Sequence, residues 1–255
     1  MNKYTNKEFI SYTQNISVIR WQSAYLPIVE VIKQINNYQK EKILDFGCGS
    51  AVANQIMRTI YDLNIDGVDI SSEMIQVAKK NDSAGEYRVL EEDGTIPFKS
   101  NSYISCYASF VFVEMESIKQ IKHWLKEIYR ILKSSGLIIL LINNLSLAGK
   151  VNPVYSQIVK FGEKRKKYNI GDQFEITLYG VPGKNIPDIS FKDYYWPIDI
   201  FRKIIKNIGF KNFDYKVQKN NNSIKKEIKN LHNHGIKMID TRELEGLTVI
   251  VTAQK

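Results

Sequence analysis

From residue 42 to 142, short aliphatic runs alternate with stretches whose apolar positions recur every three or four residues. The runs at 42–46, 65–70 (IDGVDI), 86–90 (EYRVL), 103–110 (YISCYASF) and 136–142 (GLIILLI) predict strands, whereas 52–61, 72–80 and 117–133 predict helices. The helix at 117–133 has the clearest pattern. Ile118, Ile121, Leu125, Ile128 and Leu132 fall on one stripe, and KSSG (133–136) predicts its stop, with Gly136 in the left-handed position past the terminus. His123 lies opposite the stripe and is expected to face solvent. Alternation of this kind predicts an α/β fold, a mostly parallel sheet with helices on both faces.

The flanks behave differently. Residues 1–40 read as an N-terminal helical segment containing WQSAYLPIVEVIKQI. Between 146 and 200 the rhythm breaks, and four of the six prolines and nine aromatic residues crowd into this stretch, which reads as a cap inserted over the sheet. A helix at 197–208 opened by Pro197, a strand within IGFKNFDYKV and a β-branched closing strand within GLTVIVTAQK complete the pattern. The expected organisation is one domain over 1–255: the helical segment 1–40, a core at 41–145, the cap at 146–200, and a C-terminal helix with strands at 201–255.

Composition is that of a globular chain, 44% hydrophobic and 25% charged. The longest aliphatic run, LIILLI (137–142), is too short for a membrane span. The stretch MNKYTNKEF has no apolar signal core, so a cytoplasmic location is expected. Two cysteines, Cys48 and Cys106, cannot build a disulfide framework or a cysteine zinc site. His232 and His234 alone make a poor metal site, and no metal is expected. Of the net charge of +9, residues 201–240 contribute +7, as ten basic against three acidic side chains. A nucleic-acid surface is one reading of that face. Yet KNNNSIKKEIKN (219–230) offers no aromatic ring for stacking and no arginine for bidentate contacts, which favours a solvated face.

The candidate chemistry sits in ILDFGCGSAV (43–52), where a buried strand runs through Asp45 into Gly47, Cys48 and Gly49. Strand, Gly-x-Gly and helix are the geometry of a nucleotide-cofactor turn. A dinucleotide site wants a third glycine at position 52, which is Val52, and Asp45 would repel a diphosphate. A carboxylate there suits a cationic ligand without phosphate, and S-adenosylmethionine fits. Asp69, 24 residues beyond Asp45 at the end of the second strand, is placed to accept hydrogen bonds from ribose hydroxyls.

ILDFGCGSA, GVDIS, IPFKSNSY and LKEIYRILKSSGLIIL resemble, in order and spacing, successive motifs of the class I S-adenosylmethionine-dependent methyltransferases, in particular the quinone-biosynthesis and small-molecule branch. The likeness covers about residues 40–145. It implies a Rossmann-like sheet of seven strands whose last runs antiparallel between the fifth and sixth. It also implies cofactor contacts from Asp45, Gly47, Cys48, Gly49, Asp69, Ile70 and Met74, with Ile70 on the adenine ring. The adenine amino group falls to Glu92 or Asp93, beside Gly94. Tyr12 and Trp21 are candidates for closing over the cofactor. Two positions depart from the family pattern: Ile104 replaces an aspartate after the NSY aromatic, and Glu114 stands where histidine is common after the fourth strand.

Because a sulfonium is already an activated electrophile, transfer needs alignment and exclusion of water more than a dedicated catalytic group. Glu114 is the candidate base. Tyr155, Tyr179, Tyr194, Tyr195 and Trp196 are the candidate acceptor contacts, since aromatic pockets bind small organic ligands. The Asn/Asp-Pro-Pro-Tyr motif of amine-methylating DNA and glutamine enzymes is missing, as is a Pro-Cys nucleophile. The expected reaction is O- or N-methylation of a small organic acceptor by in-line displacement. An RNA or protein methyltransferase using the basic 201–240 face, or a silent cofactor-binding partner subunit, are the alternatives.

Overall fold

The computed structural model describes residues 21–91, 93–150, 159–164, 166–179, 188–219, 222–236 and 246–255. A π-turn at Trp21–Tyr25 runs into α1 (Leu26–Ile32). Strands and helices then alternate as β1 (Lys42–Phe46), α2 (Val52–Tyr61), β2 (Asn64–Asp69), α3 (Ser72–Asn81), β3 (Tyr87–Val89), β4 (Tyr103–Ser109), α4 (Ile118–Ile131) and β5 (Leu132–Asn143). Three short strands follow, β6 (Val159–Phe161), β7 (Gln173–Leu178) and β8 (Ile189–Tyr194). The chain then forms α5 (Ile198–Ile208), β9 (Lys211–Val217), α6 (Asn222–Asn233) and β10 (Thr248–Gln254).

The main sheet has the order β3-β2-β1-β4-β5-β10-β9. Its first five strands are parallel, and β10 enters antiparallel between β5 and β9, with Thr248 opposite Asn143 and Gln254 opposite Leu137. This is the Rossmann-like arrangement the motifs imply. The period of two along each strand sorts side chains between two cores. Leu44, Phe46, Ile138, Leu140, Val249 and Val251 face the layer holding α4 and α5. Ile43, Ile139, Leu141 and Ile250 face the layer holding α1, α2 and Leu231 of α6. The strands β6, β7 and β8 form a separate antiparallel sheet in that order, with its own cluster of Val159, Phe161, Phe174 and Ile176. No helix among the described residues is long and apolar enough to cross a membrane.

One boundary differs from expectation. The helix α4 ends at Ile131, and KSSG belongs to the irregular start of β5 rather than to a helix cap. Ser135 takes the left-handed conformation (φ 64°), not Gly136. Glycine is required at 136 for close packing instead, since a Cβ there would lie 2.8 Å from the Lys133 carbonyl oxygen. Of the expected stripe, Ile121, Leu125 and Ile128 are buried, whereas Ile118 stands 42% exposed at the helix start and Leu132 already belongs to β5. The backbone that follows answers to the sheet, where Tyr103 already pairs with Leu132.

A partly buried ion pair, with Asp82 the buried member, ties α2 to the end of α3 and to β3. Arg58 donates from Nε to Asp82 Oδ1 and from Nη2 to Oδ2, both at 3.1 Å. Tyr87 donates its hydroxyl to the same carboxylate at 2.7 Å. Removing one member of such a pair strands the other charge. Arg58→Met is therefore expected to destabilise the fold by about 3 kcal/mol, read from the denaturant midpoint. A loss well under 1 kcal/mol would mean that water already screens Asp82.

Candidate active site

Beyond Phe46 the chain turns through Gly47 (φ 82°) and Gly49 (φ 52°) before Ala51, itself left-handed, opens α2. The turn hangs on the tip of β2. Gly47 and Cys48 both donate their N–H to the Val68 carbonyl, at 2.8 and 3.0 Å. Gly49 donates to Asp69 Oδ2 at 2.9 Å, and Ser71 donates to Asp69 Oδ1 at 2.9 Å. Side chains could not be accommodated at the first of these positions. A Cβ on Gly47 would collide with a Val111 methyl from the loop after β4, whereas no neighbour comes within 4 Å of one on Gly49.

The electrostatics are set by two acids on adjacent strand tips. Asp45 is buried on the face that also carries Ile43 and Tyr107. Burial pushes the Asp69 carboxyl above its ordinary range, against backbone N–H bonds from Ser71, Gly49 and Ile70 that pull it down. Burial, then Asp45 and Asp69, push the Cys48 thiol well up, so Cys48 stays protonated and is no nucleophile. Tyr107 is held neutral by burial and by Asp45, and donates its hydroxyl to Asn54 Oδ1 at 2.6 Å. The turn thus offers carboxylate and bare backbone but no reactive side chain.

Immediately past Asp69, Ile70 stands 52% exposed, an unusual placing for a large aliphatic residue beside a buried acid. Asp93 Oδ1 accepts from the Thr95 N–H at 2.8 Å, and these bonds hold its carboxyl below the usual range. His123 is exposed, as the helical pattern indicates, but its Nε2 lies 2.7 Å from the Gly94 carbonyl oxygen and props the 93–95 loop against α4. Met74 is buried in the first turn of α3, where its N–H bonds the Ser71 hydroxyl that caps the helix.

Across the rim, Glu114 ends the short turn Phe112–Glu114 after β4 and is half-buried. The next residue, Met115, accepts the indole N–H of Trp196 at 2.8 Å. Trp196 is 5% exposed and packed into the main core, so it clamps the cap to the sheet instead of presenting a binding face. Tyr194 stacks on it, and Tyr195 stacks on Tyr168 against the core of the three-stranded sheet. Tyr179 is half-buried just past β7. Trp21, a candidate cover for the cofactor, is instead 1% exposed, stacked on Tyr61 in the core beside α1. An aromatic side chain gains most where it buries most, which is why both tryptophans leave the surface. Tyr12, Glu92 and Tyr155 lie outside the described residues.

Asn143 and Asp193 were not among the candidate site residues. Asn143, the last residue of β5, donates from Nδ2 to Asp193 Oδ2 at 2.6 Å, and both side chains are buried. Asp193 shares the inner face of the small sheet with Phe174, its cross-strand partner. A polar residue in the alternation of β8 where an apolar one belongs was the available signal. Among the described residues no group of three or more His, Cys, Asp or Glu side chains could hold a metal ion.

Comparison with known proteins follows this geometry. A family model described as a methyltransferase domain matches residues 44–140, from β1 through most of β5. A demethylmenaquinone methyltransferase of Thermotoga maritima is 29% identical over 133 residues, 50% of this chain and 55% of that protein. The matched stretch thus spans about half of that relative's length. An N-demethylindolmycin N-methyltransferase of Streptomyces griseus is 23% identical over 212 residues, 81% of this chain and 86% of the relative. Among solved structures, an S-adenosylmethionine-dependent methyltransferase from Clostridium acetobutylicum superposes with a TM-score of 0.58 at 12% identity, covering 92% of this chain and 91% of that one.

The Gly47–Val111 contact gives a direct test of the turn. Gly47→Ala adds both a collision and a left-handed alanine, and is expected to lower the melting temperature by several degrees. Adding Val111→Ala relieves the collision only, so the double variant should regain part of the loss. Full recovery would show that backbone strain at residue 47 is negligible.

Proposed function

The chain belongs to the class I S-adenosylmethionine-dependent methyltransferases, and on that premise we propose that it methylates a small organic acceptor at the carboxyl rim of β1, β4 and β5. The observation that carries the reading is the bond from Gly49 N–H to Asp69, which fixes a carboxylate beside a glycine turn with open space above it.

The residues present fit this cofactor. Asp45 and Asp69 suit a cationic nucleoside and would repel a diphosphate. Asp69 accepts backbone N–H groups from Gly49, Ser71 and Ile70, and a carboxylate's roughly four acceptor sites leave room for a ribose hydroxyl. The exposed face of Ile70 offers an apolar seat for the base, and we assign Asp93 and Gly94 to its amino group. Gly47, Cys48 and Gly49 supply backbone along the methionine portion. When bound, the cofactor supplies a methyl group on a sulfonium, an electrophile that needs no further activation.

The work left to the protein is to bring the acceptor in line and to exclude water. The 146–200 cap does this in our reading, as part of a single domain. Trp196 and Asp193 anchor it to the carboxyl ends of β4 and β5. Tyr179, Tyr194 and Tyr195 stand on that segment as acceptor contacts. Glu114, on the turn between the glycine loop and the cap, is the group positioned to take a proton from a hydroxyl acceptor; an amine arriving neutral needs none. The two relatives carry names that point to small organic acceptors, demethylmenaquinone and N-demethylindolmycin, which favours an acceptor of that size here.

Methyl-labelled cofactor incubated with the protein and a metabolite extract is expected to label a low-mass product. Label confined to RNA or protein would overturn the small-acceptor reading. For the cofactor site, Asp69→Ala is expected to weaken S-adenosylhomocysteine binding by about 1.5–3 kcal/mol in calorimetry, the loss of charge-assisted hydrogen bonds. The carboxylate form is the acceptor, so affinity should fall as pH drops through the Asp69 pKa. That fall should come above ~4, the ordinary aspartate range, and vanish in the variant. Equal affinity in a folded variant would remove Asp69 from the site.

A further inference from the structure

β9 is the last strand of the main sheet, with no strand described beyond it. Of its seven residues only Phe213 is even half-buried, and Tyr215 and Val217 stand 43% and 39% exposed. Phe213, Tyr215 and Val217 alternate onto one face, where the Arg202 guanidinium of α5 lies 5.4 Å from the centroids of both rings. Asp214 and Lys216 project from the other face. An open edge of this kind presents unpaired backbone groups and invites another strand.

Which groups are open follows from the ladder. Gln218 donates its N–H to Thr248 and accepts from Gly246 N–H, at 2.9 and 2.8 Å, so its backbone polar groups point at β10. The alternation along a strand directs those of Lys216 and Asp214 the same way and turns those of Tyr215 and Val217 outward. We propose that this edge pairs antiparallel with β9 of a second copy of the chain, about a two-fold axis at Tyr215.

The register is chosen by charge. With the axis at Tyr215, Asp214 of each copy faces Lys216 of the other, and Phe213 faces Val217. Moving the axis to Asp214 or Lys216 would set like charges face to face, which cross-strand pairing disfavours. Tyr215 then pairs with itself, both copies offering the N–H and C=O that point outward. The left-handed residue Asn212 (φ 52°) and the register shift beside it confine the pairing to the 213–217 stretch. A two-fold contact of this kind is closed: each edge is satisfied once, and the strand is no longer available for open-ended addition. The partner is another copy because the segment complements itself in both charge and apolar face.

Sedimentation equilibrium of the whole chain tests the proposal without any acceptor, so its outcome is independent of the methyl-transfer reading. The wild type is expected at twice the 29.5 kDa chain mass at micromolar concentration. Asp214→Lys places two lysine pairs at the contact and should weaken the dimer about tenfold or more. The exchange Asp214→Lys with Lys216→Asp restores opposite charges in the same register and should recover the wild-type constant. Both substitutions are on exposed side chains, so circular dichroism should show an unchanged fold. A monomeric wild type, a dimer indifferent to Asp214→Lys, or a double variant no better than the single one would each overturn the proposed contact. Association with a different protein through this edge, in place of self-association, would do so as well.

Discussion

Everything at the carboxyl rim depends on how the turn after β1 is suspended from the end of β2. Three consecutive donors, the N–H groups of Gly47, Cys48 and Gly49, reach the Val68 carbonyl and the Asp69 carboxylate. Parallel neighbours bring these two strand ends level, with Asp45 opposite Gly67 and Phe46 opposite Val68. The backbone can make these bonds only if it turns immediately and without a side chain at residue 47, where Val111 occupies the space. The same contact makes the loop after β4 part of the turn's wall. Glycine here therefore serves two demands at once, a left-handed backbone, which residues with side chains adopt at a cost, and a close approach to Val111 that leaves no room for a Cβ.

From that wall the structure leads without interruption to the cap. Val111 continues into the Phe112–Glu114 turn, Met115 receives the Trp196 indole, and Asp193, three residues before Trp196, receives Asn143 from the adjacent strand. Both links are buried hydrogen bonds, and a buried polar group left unpaired costs roughly 1–3 kcal/mol. The cap is thus registered against β4 and β5 by geometry that tolerates little sliding. For the proposed methyl transfer, where alignment supplies most of what an enzyme can add, such a fixed registration between the glycine turn and the cap matters more than a strongly basic group.

The parts of this arrangement legible in the sequence were those with a period. The strands from β1 to β5 and the helices α2 to α4 followed from apolar spacing because each buries a face, and their bounds fell within a few residues of expectation. The glycine turn and Asp69 were legible because the backbone bends there for chemical reasons that leave a residue signature. Contacts between distant segments were not. Asn143 and Asp193 are 50 residues apart, and His123 meets Gly94 across 29, so apart from the polar break at 193 in the alternation of β8 nothing local marks either pair. The aromatics of 146–200 misled in one respect. Trp196 looked like a ligand-facing ring, yet the area it buries against the core and its bond to Met115 outweigh any exposed role.

The insertion of β10 explains why a sheet so well covered at its centre is bare at one margin. By running antiparallel between β5 and β9, β10 takes the interior position for itself and carries the apolar residues Val249, Ile250, Val251 and Ala253 into both cores. β9 is left with little to bury: its lysines, asparagine and aspartate occupy positions that a central strand would fill with β-branched residues. The basic surplus of 201–240 includes the lysines of this strand, so the charge reflects exposure before it reflects any partner. Tyr215 and Val217 run against that logic: unlike Phe213, which packs against the core, they stand 43% and 39% exposed on an edge that a merely solvated strand would leave polar. Their alternation with Asp214 and Lys216 is the pattern of a strand whose burial is completed by another strand.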